Sequence, residues 1–166
     1  VKRILAILVE DRPGVLARVS GLFSRRGYNI QNIAVGPTTE LGISRMTVSV
    51  DADQNTVEQI VKQLNKLVNV LKVSDLTDET SVERELMLIK VKAEPGRRSE
   101  IQQMAATFRA KIVDISPDSM IIEVTGEDRK LQAFLLMMQE FGIKEIVSTG
   151  SVSLLRGSKV TRDLRA

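Results

Sequence analysis

One pattern, strand, helix, strand, strand, helix, strand, runs through this chain twice, and that repetition constrains the fold more than any other feature. In the first copy Ile4 to Val9 is an unbroken apolar run, the mark of a buried strand, and the breaker Asp11-Arg12-Pro13-Gly14 follows it. Val15, Leu16, Val19, Leu22 and Phe23 then recur at helical spacing. Arg25 and Arg26 suit the negative end of that helix, and Gly27 stops it. Ile30 to Gly36 predicts a second strand. Ile43 to Val50 predicts a third, because Met46, Val48 and Val50 alternate with Thr47 and Ser49. From about Gln54 the residues Val57, Ile60, Val61, Leu64 and Leu67 restore the helical period, and Val70 to Asp75 closes the unit as a fourth strand.

The polar stretch Asp75 to Val82 lacks periodicity and carries three acidic residues, which predicts a linker at 77–82. The pattern then restarts. Leu86 to Val91 reads as a strand, Pro95-Gly96 as a break, and Ile101, Met104, Ala105 and Phe108 as one face of a helix. Ile112 to Ile115 and Met120 to Val124 flank the turn Ser116-Pro117-Asp118-Ser119, a hairpin signal. Leu131, Phe134, Leu135 and Met138 mark the last helix, and Ile143 to Val147 the last strand, with a continuation open as far as Leu155. The expected class is α+β: two ferredoxin-like βαββαβ sandwiches in tandem, at 1–76 and 83–157, with a flexible tail at 158–166. Units of this size have marginal cores, so bare sheet edges and faces should seek partners, at least as a homodimer or higher homo-oligomer.

Composition narrows the function. The 166 residues include no His, Cys or Trp, which removes the imidazole base, the thiolate nucleophile, the His/Cys zinc site and the disulfide framework. Net charge is +3, but it is spread: 10 basic and 7 acidic side chains over 1–76, 11 and 13 over 77–157, 3 and 1 over 158–166. No part carries the concentrated positive field of a nucleic-acid binder. An RNA-recognition module shares this strand order but stacks bases on aromatics of its central strands, and strands one and three here have none. No apolar run approaches the roughly 18 to 20 residues of a membrane span, so the chain reads as soluble, without a membrane partner.

The breaker before the first helix is the most informative local feature. Open N–H groups at a helix start, approached through Gly14, suit a carboxylate or phosphate; the same residues also serve as a plain cap and turn. Asn29 and Asn32, flanking the second strand, offer donor and acceptor together, and equally fit turn chemistry. The clusters Glu83-Arg84-Glu85 and Arg97-Arg98-Ser99-Glu100 read as solvated charge. Gly-rich phosphate loops are absent, and the acidic pairs Glu10-Asp11 and Glu127-Asp128 sit at element ends with nothing to bring them into one pocket. The residues thus describe a non-catalytic, oligomeric α+β protein with a candidate small-anion site.

The segment Asp11-x-x-Gly14-Val15-Leu16 followed by Gly27-Tyr28-Asn29-Ile30 resembles an ACT domain, an amino-acid-binding regulatory module. Longer stretches resemble the small, regulatory subunit of acetohydroxyacid synthase, also called acetolactate synthase: Gly21-Leu22-Phe23-Ser24-Arg25-Arg26-Gly27, Ser44-Arg45-Met46-Thr47, Val82-Glu83-Arg84-Glu85-Leu86-Met87-Leu88, and Phe108-Arg109 leading to Ile112-Val113-Asp114. The resemblance implies a chain with no catalytic residue and no metal of its own. It implies a large catalytic subunit as partner, with thiamine diphosphate, Mg2+ and FAD in that subunit only. It implies activation of the partner and feedback by a branched-chain amino acid, usually valine, bound between two ACT domains. By position, Asp11, Gly14, Val15 and Leu16 of one protomer would meet Asn29, Ile30 and Val35 of the other. Many bacterial members carry Asn where this chain has Asp11, and commonly read Arg-Thr-Gly where it has Ser148-Thr149-Gly150. The implied location is the cytoplasm, or the plastid stroma in a plant or alga. A stand-alone ACT-type amino-acid sensor or signalling adaptor is the alternative.

Overall fold

A computed structural model of the chain describes residues 1–161. The chain divides into two compact units, Val1–Val82 together with the described residues from Ser151 onward, and Glu83–Gly150.

The first unit contains β1 (Lys2–Glu10), α1 (Val15–Arg25), β2 (Ile30–Pro37), β3 (Ile43–Asp51), α2 (Gln54–Leu64) and β4 (Val70–Asp75). Its antiparallel sheet has the order β2-β3-β1-β4, so β2 and β4 are edges. Alternation decides the faces. Leu5, Ile7 and Val9 of β1 stand with Met46 and Val48 of β3 against the two helices, and with Val19, Phe23, Ile60 and Leu64 they form the buried core. Phe23 is fully buried, worth roughly 1.5 to 3 kcal/mol relative to exposure. Helix α2 is capped by Asp53, whose carboxylate accepts the Thr56 N–H at 2.7 Å. That bond holds the Asp53 carboxyl below the usual carboxylate range.

The second unit repeats the order: β5 (Ser81–Lys92), α3 (Arg98–Thr107), β6 (Lys111–Ile115), β7 (Ser119–Gly126), α4 (Asp128–Gln139) and β8 (Ile143–Ser148). Its sheet path is β6-β7-β5-β8, again antiparallel. Met87, Ile89, Val91, Ile122, Leu131 and Phe134 make a separate core, in which Phe108 and Phe134 lie 5.1 Å apart. The α+β class and the tandem βαββαβ order follow the expectation from the sequence.

The structure differs from the sequence reading after residue 148. The last strand does not run on to Leu155. It breaks at Thr149-Gly150, where Gly150 has φ 77°, and a new strand β9 (Val152–Leu155), which pairs with β5, is grouped with the first unit. The second compact unit thus ends at Gly150, and the stretch from Ser151 is grouped with the first. The cause is the helix-free face of the first sheet, where Ala6, Thr47, Ser49 and Ser74 are buried although they are small or polar. Leu155 closes over Ile4, Ala6 and Leu76. The Arg45 guanidinium donates to the Ser153 carbonyl at 2.7 Å and to the Thr161 hydroxyl at 2.9 Å.

The expected flexible tail is thus packed as far as Thr161, which is buried and whose carbonyl accepts the Ser74 hydroxyl at 3.4 Å. Residues 162–166 of that expectation lie outside the described residues. The expected linker at 77–82 is also tied down. Ile4 N–H donates to the Thr77 hydroxyl, Arg156 N–H to the Thr80 carbonyl, and Ser81 already opens β5. Its polar composition is explained by these bonds.

Candidate functional site

Helix α1 starts without a side-chain cap. Its N-cap position is Gly14, in the left-handed conformation (φ 85°, ψ −7°), and an added Cβ there would meet nothing within 4 Å. Only glycine holds this backbone without strain. Val15 N–H turns back to the Arg12 carbonyl at 3.3 Å, whereas the N–H groups of Gly14, Leu16 and Ala17 have no acceptor among the described residues. The first turn contains no acidic side chain. The positive end of the helix dipole is therefore open to an incoming anion.

The loop that presents this end is held from below. Asp11 N–H donates to the Gly42 carbonyl at 2.8 Å and Glu10 N–H to the Asn69 carbonyl at 2.9 Å. The Glu10 carboxylate is neutralised by Arg12 at 2.7 Å and accepts the Asn69 side-chain amide at 3.4 Å, and Arg18 donates to Asn69 Oδ1 at 2.6 Å. Asp11 does not cap the helix, so the plain-cap reading of this residue does not hold; its side chain is exposed beside the entrance.

The structure brings Asp11, Gly14, Val15 and Leu16 together at this turn. Val15 is buried in the core, and Leu16 is half exposed. Val35 pairs with Met46, near the end of β2 that lies level with the Val9–Glu10 end of β1, and hence near the same chain's helix entrance. Asn29 and Ile30 stand at the other end of β2, where Ile30 pairs with Val50. They are positioned by the helix stop: Gly27 (φ 70°) turns the chain, Tyr28 N–H bonds the Phe23 carbonyl, and the Tyr28 and Phe23 rings meet edge-on. One protomer thus gathers five of the seven expected residues at one end of its sheet and holds two at the other.

Sequence reasoning missed a second feature of this unit. A groove of about 340 Å³ lies where β2, β3 and β9 meet, lined by Ala34, Gly36, Arg45, Thr47, Val152 and Leu154 among others. The only signal for it in the sequence was a lone arginine in an otherwise apolar and hydroxylic strand. Among the described residues no three His, Cys, Asp or Glu side chains gather as a metal site, and no helix is long and apolar enough to cross a membrane.

Comparison with known proteins places both units in one family. Residues 84–157 match the family model described as small subunit of acetolactate synthase, and residues 5–72 match that of the AHAS small subunit-like ACT domain. A probable acetolactate synthase small subunit of Archaeoglobus fulgidus is 54% identical over 158 residues, 95% of this chain and 99% of its own. The acetolactate synthase small subunit of Mycobacterium bovis is 53% identical over 155 residues, 93% of this chain and 92% of its own. The crystal structure of the acetolactate synthase small subunit from Thermotoga maritima superposes with a TM-score of 0.88 at 40% identity, covering 96% of this chain and 99% of that one.

Proposed function

The chain belongs to the family of acetolactate synthase small subunits, and from that premise we propose that it is a non-catalytic regulatory subunit. It binds a catalytic large subunit, raises its activity, and makes it sensitive to a branched-chain amino acid, valine first among them. Thiamine diphosphate, Mg2+ and FAD then belong to the large subunit, and the complex works in the cytoplasm.

The observation that carries the effector reading is the uncapped start of α1. Three open N–H groups take the effector carboxylate, Asp11 takes its ammonium, and Leu16 and Val35 enclose an aliphatic side chain. Asn29 and Ile30 enter from a second copy. Strand β2 is a sheet edge with one neighbour, β3. An antiparallel pairing of β2 with β2 of another protomer sets that protomer's Asn29 and Ile30 beside this chain's Gly36–Pro37 end, the end at which α1 begins. Such pairing also satisfies the bare ladder groups of both edges. Binding that completes an interface shifts the equilibrium between two states of the dimer, which is how a small ligand biases a partner enzyme.

The test is acetolactate formation by the cognate large subunit with and without this chain, titrated with valine, leucine and isoleucine. Activation followed by falling rate at raised valine supports both halves of the proposal. Activation with no effector response retains the partnership and rejects the site, and no effect on the large subunit rejects the partnership in favour of a stand-alone sensor.

A further inference from the structure

The groove on the helix-free face of the first unit is built around a cation that pairs with no carboxylate among the described residues. Arg45 lies on β3, half-buried, and burial pushes its guanidinium below the usual arginine range. Two of its N–H groups are donated to neutral acceptors, the Ser153 carbonyl and the Thr161 hydroxyl. No carboxylate among the described residues pairs with it, and none lines the groove. Those two bonds use two of the five N–H donors of the guanidinium. Ser153, which also lines the groove, is buried and leaves its own hydroxyl without a partner.

The rest of the groove is aliphatic. Register sets Gly36 opposite Arg45 and Ala34 opposite Thr47, so the strand beside the cation carries almost no side chain, and an added Cβ at Gly36 would meet nothing within 4 Å. Across this gap Val152 and Leu154 stand half exposed. A half-desolvated guanidinium presents a planar fork that matches a carboxylate, and it gains more from one in this setting than in open water.

We propose that this groove binds a short aliphatic carboxylate, with Arg45 on the carboxylate and Val152, Leu154 and Ala34 around the hydrocarbon. It selects against zwitterionic amino acids, because a ligand ammonium would face Arg45 and find no acid. The groove shares Val35 with the helix-entrance end of the sheet, but it is built on Arg45 and does not rest on the effector reading. Because Arg45 also holds Ser153 and Thr161, occupancy tightens the segment 151–161 on the sheet.

Isovalerate is the probe, with the neutral isostere isovaleramide as control, titrated into the full chain while the Arg45 guanidinium resonances and calorimetric heat are followed. We expect saturable isovalerate binding that shifts Arg45, with isovaleramide at least tenfold weaker. Gly36→Leu, whose backbone φ is not in the left-handed region, puts a side chain into the gap opposite Arg45, and should abolish binding. Arg45→Gln removes the charge and should weaken binding at least tenfold. Gly14→Ala should leave it unchanged. The proposal is overturned by an absent isovalerate response, by equal response to isovaleramide, or by binding that survives Gly36→Leu and disappears in Gly14→Ala.

Discussion

The two units repeat one topology, and each opens its first helix with the dipeptide Pro-Gly, yet the two entrances are built differently. Pro13-Gly14 places Gly14 in the left-handed region with nothing capping the helix. Pro95-Gly96 instead forms a 3-10 turn over Pro95–Arg97 that runs straight into α3, and Gly96 is not among the glycines with positive φ. The next residue completes the difference. Val15 is buried in the core, whereas Arg97 reaches Glu100 at 3.2 Å and Glu140 at 2.8 Å and lies 4.4 Å over the Phe141 ring. A cation held at the second entrance occupies the end of the molecule that a ligand would need, and Glu100 places an acid in the first turn. A duplicated topology thus gives its two helix entrances different surroundings through one backbone dihedral angle and one side chain.

The largest test of the comparison concerns the two cores. Phe23→Ala and Phe134→Ala each remove a fully buried ring and should cost about 3 to 5 kcal/mol. Hydrogen exchange should accelerate in β1–β4 for the first and in β5–β8 for the second. Equal acceleration in both units from either variant would show a single cooperative core and break the comparison.

Next comes the pair of glycines. Gly14→Ala forces a side chain into positive φ at about 1 to 2 kcal/mol, so the valine concentration for half inhibition of the synthase complex should rise about tenfold. Gly14→Asp, which adds charge at the carboxylate position, should abolish the response. Gly96→Ala should leave it unchanged, and a response lost equally in both would mean that the first entrance has no special role. Arg97→Ala should likewise spare valine sensitivity while loosening the start of α3, measured by amide exchange at Ile101.

The smallest effect is electrostatic. Asp53 in the first unit is held below the ordinary carboxylate range by the Thr56 N–H, and Asp118 in the second by the nearby Lys144 ammonium, 3.4 Å away. Both folded values are depressed, so the stability each adds is present above pH 4 and is lost as pH falls through the folded value. Carboxyl NMR titration in high salt should return Asp118 toward its ordinary value and leave Asp53 depressed, because a coulombic contact is screened and a capping hydrogen bond is not.

Much of this was legible along the chain. Strands with period two and helices with period 3.6 depend on which residues must leave water, and Leu5, Ile7, Val19, Phe23, Ile89 and Phe134 all reached the cores that their spacing implied. The break before the first helix was legible as well, since Pro13-Gly14 ends the strand run, and Gly14 stands at the N-cap position. Asn29 and Ile30 were legible as neighbours in sequence, but one chain sets them at the far end of β2 from Gly14.

Residues 149–161 were misread for a different reason. Ala6, Thr47, Ser49 and Ser74 alternate with large apolar residues, and that pattern is the same whether the small face meets water or another segment. Sequence alone therefore determined the element order, the two cores and the αL glycine, because each follows from local sterics and from the periodicity of apolar side chains. Tertiary structure alone decided that Leu155 and Thr161 close over the first sheet, that Arg45 sits beneath them with no carboxylate partner among the described residues, and that Arg97 fills the second entrance. Those outcomes depend on contacts between residues more than 40 positions apart in the chain, whose energies no local pattern encodes.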